Sequence, residues 1–232
     1  MSRTLVLFDI DGTLLLTSGA GRRAITTALA DRLGPGDAWR RIRFDGKTDP
    51  QIVRELLHAA GDPAADDPAV IAEVCERYVL HLAEELARSP GDTRLMPGVP
   101  ALLDRLEAHG GVVLGLLTGN IARGDGLKLR AGGIDPERFQ VGAYGSDSAH
   151  RPDLPAIAAE RAAPIFGWTP AGAAVVIVGD TPADVTCGVA IGARAVAVAT
   201  GSYGVDALQE AGAHAAFADL SDTEAVLGAL LG

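Results

Sequence analysis

Runs of consecutive apolar residues divide the chain into short candidate strands. The stronger runs are 4–8, 112–117, 174–178 and 195–199, and weaker ones are 139–143 and 213–217. Between them, apolar residues recur every three or four positions, as at Val99, Leu102, Leu103 and Leu106, which is typical of amphipathic helices. Strands and helices in alternation predict an α/β fold: a doubly wound parallel sheet with helices on both faces.

One long interval, from residue 17 to residue 93, departs from this alternation because it has helical spacing only. Ala24, Ile25 and Ala28 begin the pattern, which continues through two later segments. Stretches rich in small residues and proline, TSGAG and SPGDTRLMPG, flank the interval and are typical of hinges and turns. We therefore predict a core domain of residues 1–16 and 94–232 and an inserted helical domain of residues 17–93.

Composition narrows the possible partners. The 232 residues are 48% hydrophobic and carry a net charge of −10, which disfavours nucleic-acid or anionic-membrane binding. The sequence shows no leader segment, and no apolar run approaches the roughly 18 residues that span a bilayer, so we expect a cytoplasmic protein. Cys75 and Cys187 form no CxxC pair and are expected to be buried free thiols. The oligomeric state is left open.

Two aspartates follow the first apolar run directly. In LVLFDIDGTLL, Asp9 and Asp11 are two residues apart, and alternation along an extended chain directs both to the same side. Asp9 falls at the carboxyl end of the strand, where open parallel sheets bind ligands, and Gly12 lets the chain turn away. Because neighbouring carboxylates repel each other, a cation or a shared proton must intervene, and we favour a divalent metal.

The ends of three other predicted strands carry groups suited to the same chemistry. In chain order these groups are Thr118, Gly119 and Asn120 in TGN, Arg151 at the end of GSDSAHR, and Asp180 and Asp184 in GDTPAD. Since the carboxyl ends of parallel strands meet at one edge, carboxylates, an anion-binding hydroxyl and a cation should collect in one crevice.

These motifs resemble those of the haloacid dehalogenase (HAD) superfamily, on its phosphatase side. DIDGT corresponds to the first family motif, Thr118 to the second, Arg151 to the third and GDTPAD to the fourth, so the resemblance covers essentially the whole chain. The interval 17–93 is similar to the helical C1 cap of that superfamily. The resemblance implies a Rossmann-like core and a Mg²⁺-dependent phosphatase of the phosphoglycolate phosphatase-like group, acting on a small phosphorylated metabolite.

The same resemblance implies a role for each motif residue. Asp9 would attack the phosphate ester to form an aspartyl-phosphate, and Asp11 would act as general acid and then as general base. Thr118, with Gly119 and Asn120, would hold the phosphoryl group, while Arg151 would neutralise charge. Mg²⁺ would be held by Asp9, the main-chain carbonyl of Asp11, Asp180 and, directly or through water, Asp184.

Three cations outside this core set have weaker assignments. The family more often has lysine at the position of Arg151, so Lys128 is a rival cation, although GLKLRAGG reads as an ordinary helix surface. In the inserted domain, Lys47 of FDGKTDPQIV precedes a helix beginning near Pro50 and is expected to reach the substrate. Arg22 of GAGRR is a further candidate for substrate binding.

Other functions remain open at this stage. A sugar phosphomutase of the β-phosphoglucomutase type shares the fold, the cap and both aspartates, although such mutases tend to have valine where this chain has Thr13. A dehalogenase lacks the acid/base aspartate, so Asp11 argues against it. A non-catalytic HAD-fold binding protein or a receiver-type signalling domain would release no phosphate over many turnovers.

Overall fold

The computed structural model describes residues 3–34 and 36–232, and within them six parallel strands form one sheet. The strands, including two short ones outside this sheet, are β1 (Thr4–Phe8), β2 (Leu15–Leu16), β3 (Arg94–Leu95), β4 (Val112–Thr118), β5 (Val141–Tyr144), β6 (Val175–Gly179), β7 (Arg194–Val198) and β8 (Ala215–Phe217). The order across the sheet is β5, β4, β1, β6, β7, β8. Each predicted run overlaps one of the six sheet strands, and the predicted and observed ends differ by no more than two residues.

Helices cover both faces of the sheet. They are α1 (Ala20–Ala28), α2 (Asp49–Ala60), α3 (Pro68–Arg88), α4 (Val99–Ala108), α5 (Ala122–Ala131), α6 (Leu154–Phe166), α7 (Pro182–Cys187), α8 (Val205–Glu210) and α9 (Thr223–Leu231). Alternate residues of β1 point to opposite faces: Val6 and Phe8 share a core with α4, α5 and α9, whereas Leu5 and Leu7 share one with α6. The doubly wound α/β fold is thereby confirmed.

The central position of β1 follows from its composition. All four residues from Leu5 to Phe8 are completely buried, and Leu5 pairs with Val113 on β4 and with Val175 on β6. A strand buried on both faces and paired on both edges has no solvent-exposed side, so a continuous apolar run is what it requires. Its carboxyl end lies at the middle of the sheet, between the ends of β4 and β6.

Helices α1, α2 and α3 build a separate hydrophobic cluster. Its buried members include Ile25, Leu56 and Tyr78. Of the described residues outside the interval 17–93, Ile121 is its one buried member and the partly buried Leu127 packs against it. Helix α2 starts where the Thr48 hydroxyl accepts a hydrogen bond from the Gln51 N–H at 3.2 Å, close to the predicted start. The domain boundaries at 17 and 93 stay a prediction.

A two-stranded ribbon, which the sequence pattern did not predict, joins the two ends of that interval. Strands β2 and β3 are antiparallel, with Leu15 opposite Leu95 and Leu16 opposite Arg94. The chain therefore leaves the sheet and returns to it at adjacent points. Two residues a strand are too few to show the alternation by which strands are recognised.

Two predictions from composition can be compared directly with the structure. Cys75 and Cys187 are both free and both buried, as expected. Over the described ranges, we find no helix with the length and apolar character that crossing a membrane requires.

Candidate active site

The turn after β1 brings two parts of the site into close contact. The Asp9 N–H donates to the Val178 carbonyl at 2.9 Å, which extends the pairing of β1 with β6 by one residue. Gly12 has φ of +91°, and a Cβ atom there would lie 2.5 Å from Asp180 Oδ2. Only glycine meets both conditions, because it adopts positive φ freely and has no side chain to collide with the carboxylate.

Three carboxylates meet at this turn. Asp9, Asp180 and Asp184 are buried, and each offers an oxygen within 4.8 Å of the others' oxygens. Asp180 is oriented by the Thr13 hydroxyl, which donates to its Oδ1 at 3.2 Å. Burial first, and then the neighbouring negative charges, raise the pKa of both Asp9 and Asp180. The cluster therefore favours a cation or bound protons.

Arg151 supplies positive charge to two members of this cluster. It lies in a short 3₁₀ turn before α6, only 6% exposed, and its Nη2 donates to Asp9 Oδ1 at 2.9 Å and also to Asp184 Oδ1. Burial opposes its charge, but the carboxylates of Asp184 and Asp9 more than offset this and keep the pKa of Arg151 above its ordinary value. Asp9 and Asp184 are thus bridged by one guanidinium group.

Asp184 owes its position to a helix cap. At the start of α7, the Thr181 N–H and hydroxyl donate to Asp184 Oδ2 at 3.0 and 2.6 Å, while the Asp184 N–H donates back to the Thr181 hydroxyl. This capping box holds the carboxylate at the sheet edge. With Oδ2 engaged by Thr181 and Oδ1 by Arg151, the Asp184 side chain is restrained from both ends.

Asp11 does not share the environment of Asp9. The extended strand ends at Phe8, so the alternation that predicted two parallel side chains no longer applies at Asp11. Its Oδ2 accepts hydrogen bonds from Asn120 Nδ2 at 2.7 Å and from Lys128 Nζ, and its side chain is 39% exposed. The two aspartates of the motif therefore have different partners and different exposure.

The interpretation of Lys128 as a helix-surface residue is wrong. Its side chain is 3% exposed, and its Nζ donates to Asn120 Oδ1 at 3.0 Å as well as to Asp11. A signal for this was present in the sequence: Ile121, Asp125 and Lys128 recur at three- and four-residue spacing, and all three are buried along one side of α5. A pattern of apolar residues alone does not reveal this stripe, because positions 125 and 128 carry charged side chains.

The loop that leads into α2 at Thr48 and Asp49 contacts the segments that follow β4 and β5. The Asp49 N–H donates to the Gly119 carbonyl at 2.7 Å, the Asp49 carboxylate accepts from the Ile121 N–H at 2.9 Å, and the Thr48 hydroxyl donates to the Ala149 carbonyl at 2.8 Å. Burial raises the pKa of Asp49 to about 6. The sequence gives no distinct signal for Asp49, because a single acid at a helix start usually serves as a cap.

A cavity of about 310 Å³ lies between this loop and the strand ends. The predicted site residues that line it are Asp9, Asp11, Arg22, Lys47, Thr118, Gly119, Asn120, Arg151 and Asp180. Lys47 forms an ion pair with Glu55 of α2. Arg22 donates to the Ile42 carbonyl at 2.7 Å, and its guanidinium carbon lies 3.9 Å from the centre of the Phe44 ring. Both cations therefore border the cavity while held by neighbours in the inserted segment.

Most of the sequence matches a family model. The model describes a haloacid dehalogenase-like hydrolase, and the match runs over residues 4–192. The chain belongs to the haloacid dehalogenase-like hydrolases. This agrees with the resemblance drawn from the DIDGT and GDTPAD motifs, and it identifies the chain as a hydrolase.

Individual proteins similar to this HAD-like hydrolase share about a third of their residues with it, or fewer, over the matched regions. Protein CbbY of Cereibacter sphaeroides is 34% identical over 116 residues, and the match covers 45% of each of the two chains. A hydrolase from Pseudomonas syringae has the same fold over 100% of both chains, with a TM-score of 0.74 and 20% identity. A predicted phosphoglycolate phosphatase from Haemophilus somnus 129pt covers 97% of this chain and 98% of its own, with a TM-score of 0.68 and 22% identity.

Proposed function

We propose that this HAD-like hydrolase is a Mg²⁺-dependent phosphatase that cleaves a small phosphorylated metabolite through an aspartyl-phosphate intermediate. The observation that carries the proposal is the contrast between Asp9 and Asp11. Asp9 is buried beside a guanidinium and two carboxylates, whereas Asp11 is partly exposed at the cavity and faces an amide and an ammonium. Two carboxylates in different environments are suited to two chemical roles.

Asp9 is the proposed nucleophile. One of its oxygens is engaged by Arg151 Nη2 at 2.9 Å, and Asp9 lines the cavity in which the phosphate ester would be bound. Attack forms a bond from Asp9 to phosphorus while the bond to the leaving alcohol breaks. Arg151 acts as a fixed positive charge throughout this transfer, a contribution of the kind that preorganised electrostatics make to catalysis.

Asp11 is the proposed general acid and base. In the first step its carboxyl proton passes to the oxygen of the departing alcohol. In the second step the resulting carboxylate takes a proton from water as that water attacks phosphorus and the bond to Asp9 breaks. Asp11 lies at the cavity edge with its Oδ2 engaged by Asn120 and Lys128.

The carboxylate cluster fits a hard divalent cation. Asp9, Asp180 and Asp184 would hold it together with the main-chain carbonyl of Asp11, since Mg²⁺ prefers oxygen ligands, carboxylates above all. Burial and the neighbouring carboxylates raise the pKa of Asp9 and of Asp180, so a bound cation would stabilise their ionised forms. When bound, Mg²⁺ would neutralise charge on the phosphoryl oxygens.

The phosphoryl group would be held at the end of β4. The Thr118 hydroxyl accepts a hydrogen bond from the Asn120 N–H at 3.2 Å, which leaves its own hydrogen to donate to an anion. Thr118 is 1% exposed and lines the cavity, and the chain continues into Gly119 and Asn120. We assign phosphate binding to these three residues.

The size of the cavity and its lining favour a small organic phosphate with a second polar group. Ile25, Ile52 and Tyr78 contribute apolar surface, while Lys47 and Arg22 contribute charge. We propose Lys47 as the principal contact to the second polar group. Because Lys47 is paired with Glu55, substrate binding would share or replace that ion pair.

The test is phosphate release from phosphoglycolate, sugar phosphates, nucleotides and phosphoamino acids in the presence of Mg²⁺. We expect many turnovers on one of these classes and none from Asp9→Asn. Conversion of a sugar phosphate to its isomer without phosphate release would instead indicate a mutase, and no reaction with any class would contradict the proposal.

The contribution of Lys47 is tested with two substrates. Lys47→Ala should lower kcat/KM for the best substrate, whereas p-nitrophenyl phosphate, which has no second polar group beyond its nitro substituent, should be affected much less. Arg54→Ala is the matched control, because Arg54 is an exposed cation on α2, the helix that follows Lys47, and lies outside the cavity lining. Equal losses on both substrates would place Lys47 in the catalytic machinery, and no loss on either would remove it from the site.

A further inference from the structure

Among the described residues, Lys128 is a buried cation to which the proposed mechanism gives no role. Its Nζ has two partners, Asp11 Oδ2 and Asn120 Oδ1, and Asn120 in turn donates to the same Asp11 oxygen. These three side chains form a closed triangle of hydrogen bonds. Nothing comparable holds the other oxygen of Asp11, for which no hydrogen bond is found in residues 3–34 and 36–232.

The two cations of the site are divided between the two aspartates. Arg151 contacts Asp9 and Asp184, whereas Lys128 contacts Asp11 and approaches none of the three clustered carboxylates within ion-pair distance. The sequence suggested Lys128 as a rival to Arg151. The structure shows instead that the two cations contact different aspartates. Lys128 contacts Asp11, the proposed acid that protonates the leaving group, and not Asp9, the proposed nucleophile.

Lys128 lowers the pKa of the buried acids Asp49 and Asp125, against the larger effect of burial, but its hydrogen bonds go to neither of them. Asp125, one turn earlier on α5, is buried, and neither of its carboxylate oxygens has a hydrogen-bond partner in the described part of the chain. Lys128 thus bonds to Asp11 rather than to the acid one turn earlier on its own helix. Burial raises the pKa of Asp125 well above its usual range, and a neutral carboxyl group needs no counter-ion.

We propose that Lys128 is a positioning residue for Asp11: together with Asn120 it fixes Asp11 Oδ2, so that Oδ1 is presented to the leaving-group oxygen and later to water. The inference rests on the proposed phosphatase function. An unrestrained carboxylate would rotate between orientations, and a misplaced proton donor loses part of the 10²–10⁴-fold that general acid catalysis typically contributes. A buried ammonium with three donors and no acceptor, held by two partners, is suited to this task.

The test uses the dependence of rate on the leaving group. A series from alkyl to aryl phosphates is assayed with wild type, Lys128→Met, Lys128→Gln and, as the matched comparison, Arg151→Met. The departure of p-nitrophenolate needs no proton, so Lys128→Met should change its kcat/KM less than about threefold, whereas kcat/KM for an alkyl phosphate should fall about 10- to 100-fold. Arg151→Met should lower kcat/KM for all esters by a similar factor.

A pre-steady-state measurement gives an independent readout. Because Asp11 also serves the hydrolysis of the aspartyl-phosphate, Lys128→Met should release a burst of p-nitrophenolate followed by a slow steady rate. Lys128→Gln, which keeps a donor but no charge, should show the same pattern to a smaller extent. Thermal unfolding establishes that each variant is folded, and if Lys128→Met is not, Lys128→Gln decides alone.

The outcomes separate the alternatives. A steeper dependence on the leaving group supports the inference. A uniform loss across the series would make Lys128 a phosphate-binding or structural cation, and an unchanged profile would remove it from catalysis, so either result overturns the inference. If wild type hydrolyses none of the esters, the proposed function fails first and this inference fails with it.

Discussion

Replacing Gly119 by alanine tests whether the inserted segment must approach the strand ends as closely as the structure shows. A Cβ atom at residue 119 would lie 2.1 Å from the Lys47 carbonyl oxygen and 2.9 Å from Thr48 Cα, distances that real Cβ atoms essentially never show. The backbone of Gly119 is outside the left-handed region, so alanine tolerates its conformation. The main-chain amide is also retained, so the change acts on the approach alone.

The magnitude follows from the contacts that the approach permits. To restore ordinary contact beyond about 3.4 Å, the loop from Lys47 to Asp49 must withdraw by roughly an ångström or more. Three hydrogen bonds then stretch or break: Asp49 N–H to Gly119, Ile121 N–H to Asp49, and Thr48 to Ala149. At about 1 kcal/mol for each hydrogen bond, the state in which this loop contacts Gly119 is destabilised by about 3 kcal/mol. Its population relative to the withdrawn state then falls roughly a hundredfold.

The assay combines kinetics with hydrogen exchange. We expect kcat/KM of Gly119→Ala to fall on the order of a hundredfold, with faster exchange of the Asp49 and Ile121 amides and little change in exchange of the central sheet. Gly110→Ala is the control, because a Cβ atom there would meet nothing within 4 Å. Wild-type kcat/KM together with unchanged protection of these two amides would refute the reasoning.

Three further predictions concern the charged groups. Asp9→Asn should abolish turnover with every ester, since an amide is no nucleophile, and no phosphoenzyme should be trapped by acid quench. Arg151→Met should lower kcat by about 10²–10³ and should reduce stability at neutral pH, measured by urea unfolding, because Asp9 and Asp184 lose their shared partner. Burial raises the pKa of Asp49 to about 6, so the folded state loses stability as pH rises from about 4 through 6. The free energy of unfolding of Asp49→Asn, measured against wild type, should therefore increase by up to about 3 kcal/mol across that window and stay level above it. Equal stability differences at both ends of the window would contradict this.

The sheet and the groups at its edge follow from local sequence features. In the run Leu5–Phe8 every residue is apolar, which suits a strand that is buried on both faces of the sheet. The carboxyl end of this strand determines where Asp9 lies. The glycine at position 12 and the spacing of GDTPAD likewise reflect local geometry, a left-handed turn and a helix cap. Features of this kind depend on residues within a few positions of one another, so they can be predicted from the sequence alone.

The partners of each charged group, by contrast, are decided between distant segments. Lys128 and Asp11 are 117 residues apart, and Asp49 and Ile121 are 72 apart. Neither pairing follows from the residue types, since lysine and aspartate on a helix are more often solvated. The short ribbon of β2 and β3 also forms only because the ends of the inserted segment meet.

The sequence by itself therefore determined the α/β class, the position of the crevice and the types of group that collect there, because apolar periodicity and strand ends are local properties. Only the tertiary structure decided which cation serves which carboxylate: Arg151 bridges Asp9 and Asp184, and Lys128 is turned inward to Asp11. The physical reason is burial. A charge removed from water must find an opposite charge or a hydrogen-bond partner, and which one it reaches depends on how helices pack above the sheet rather than on the residues beside it in the chain.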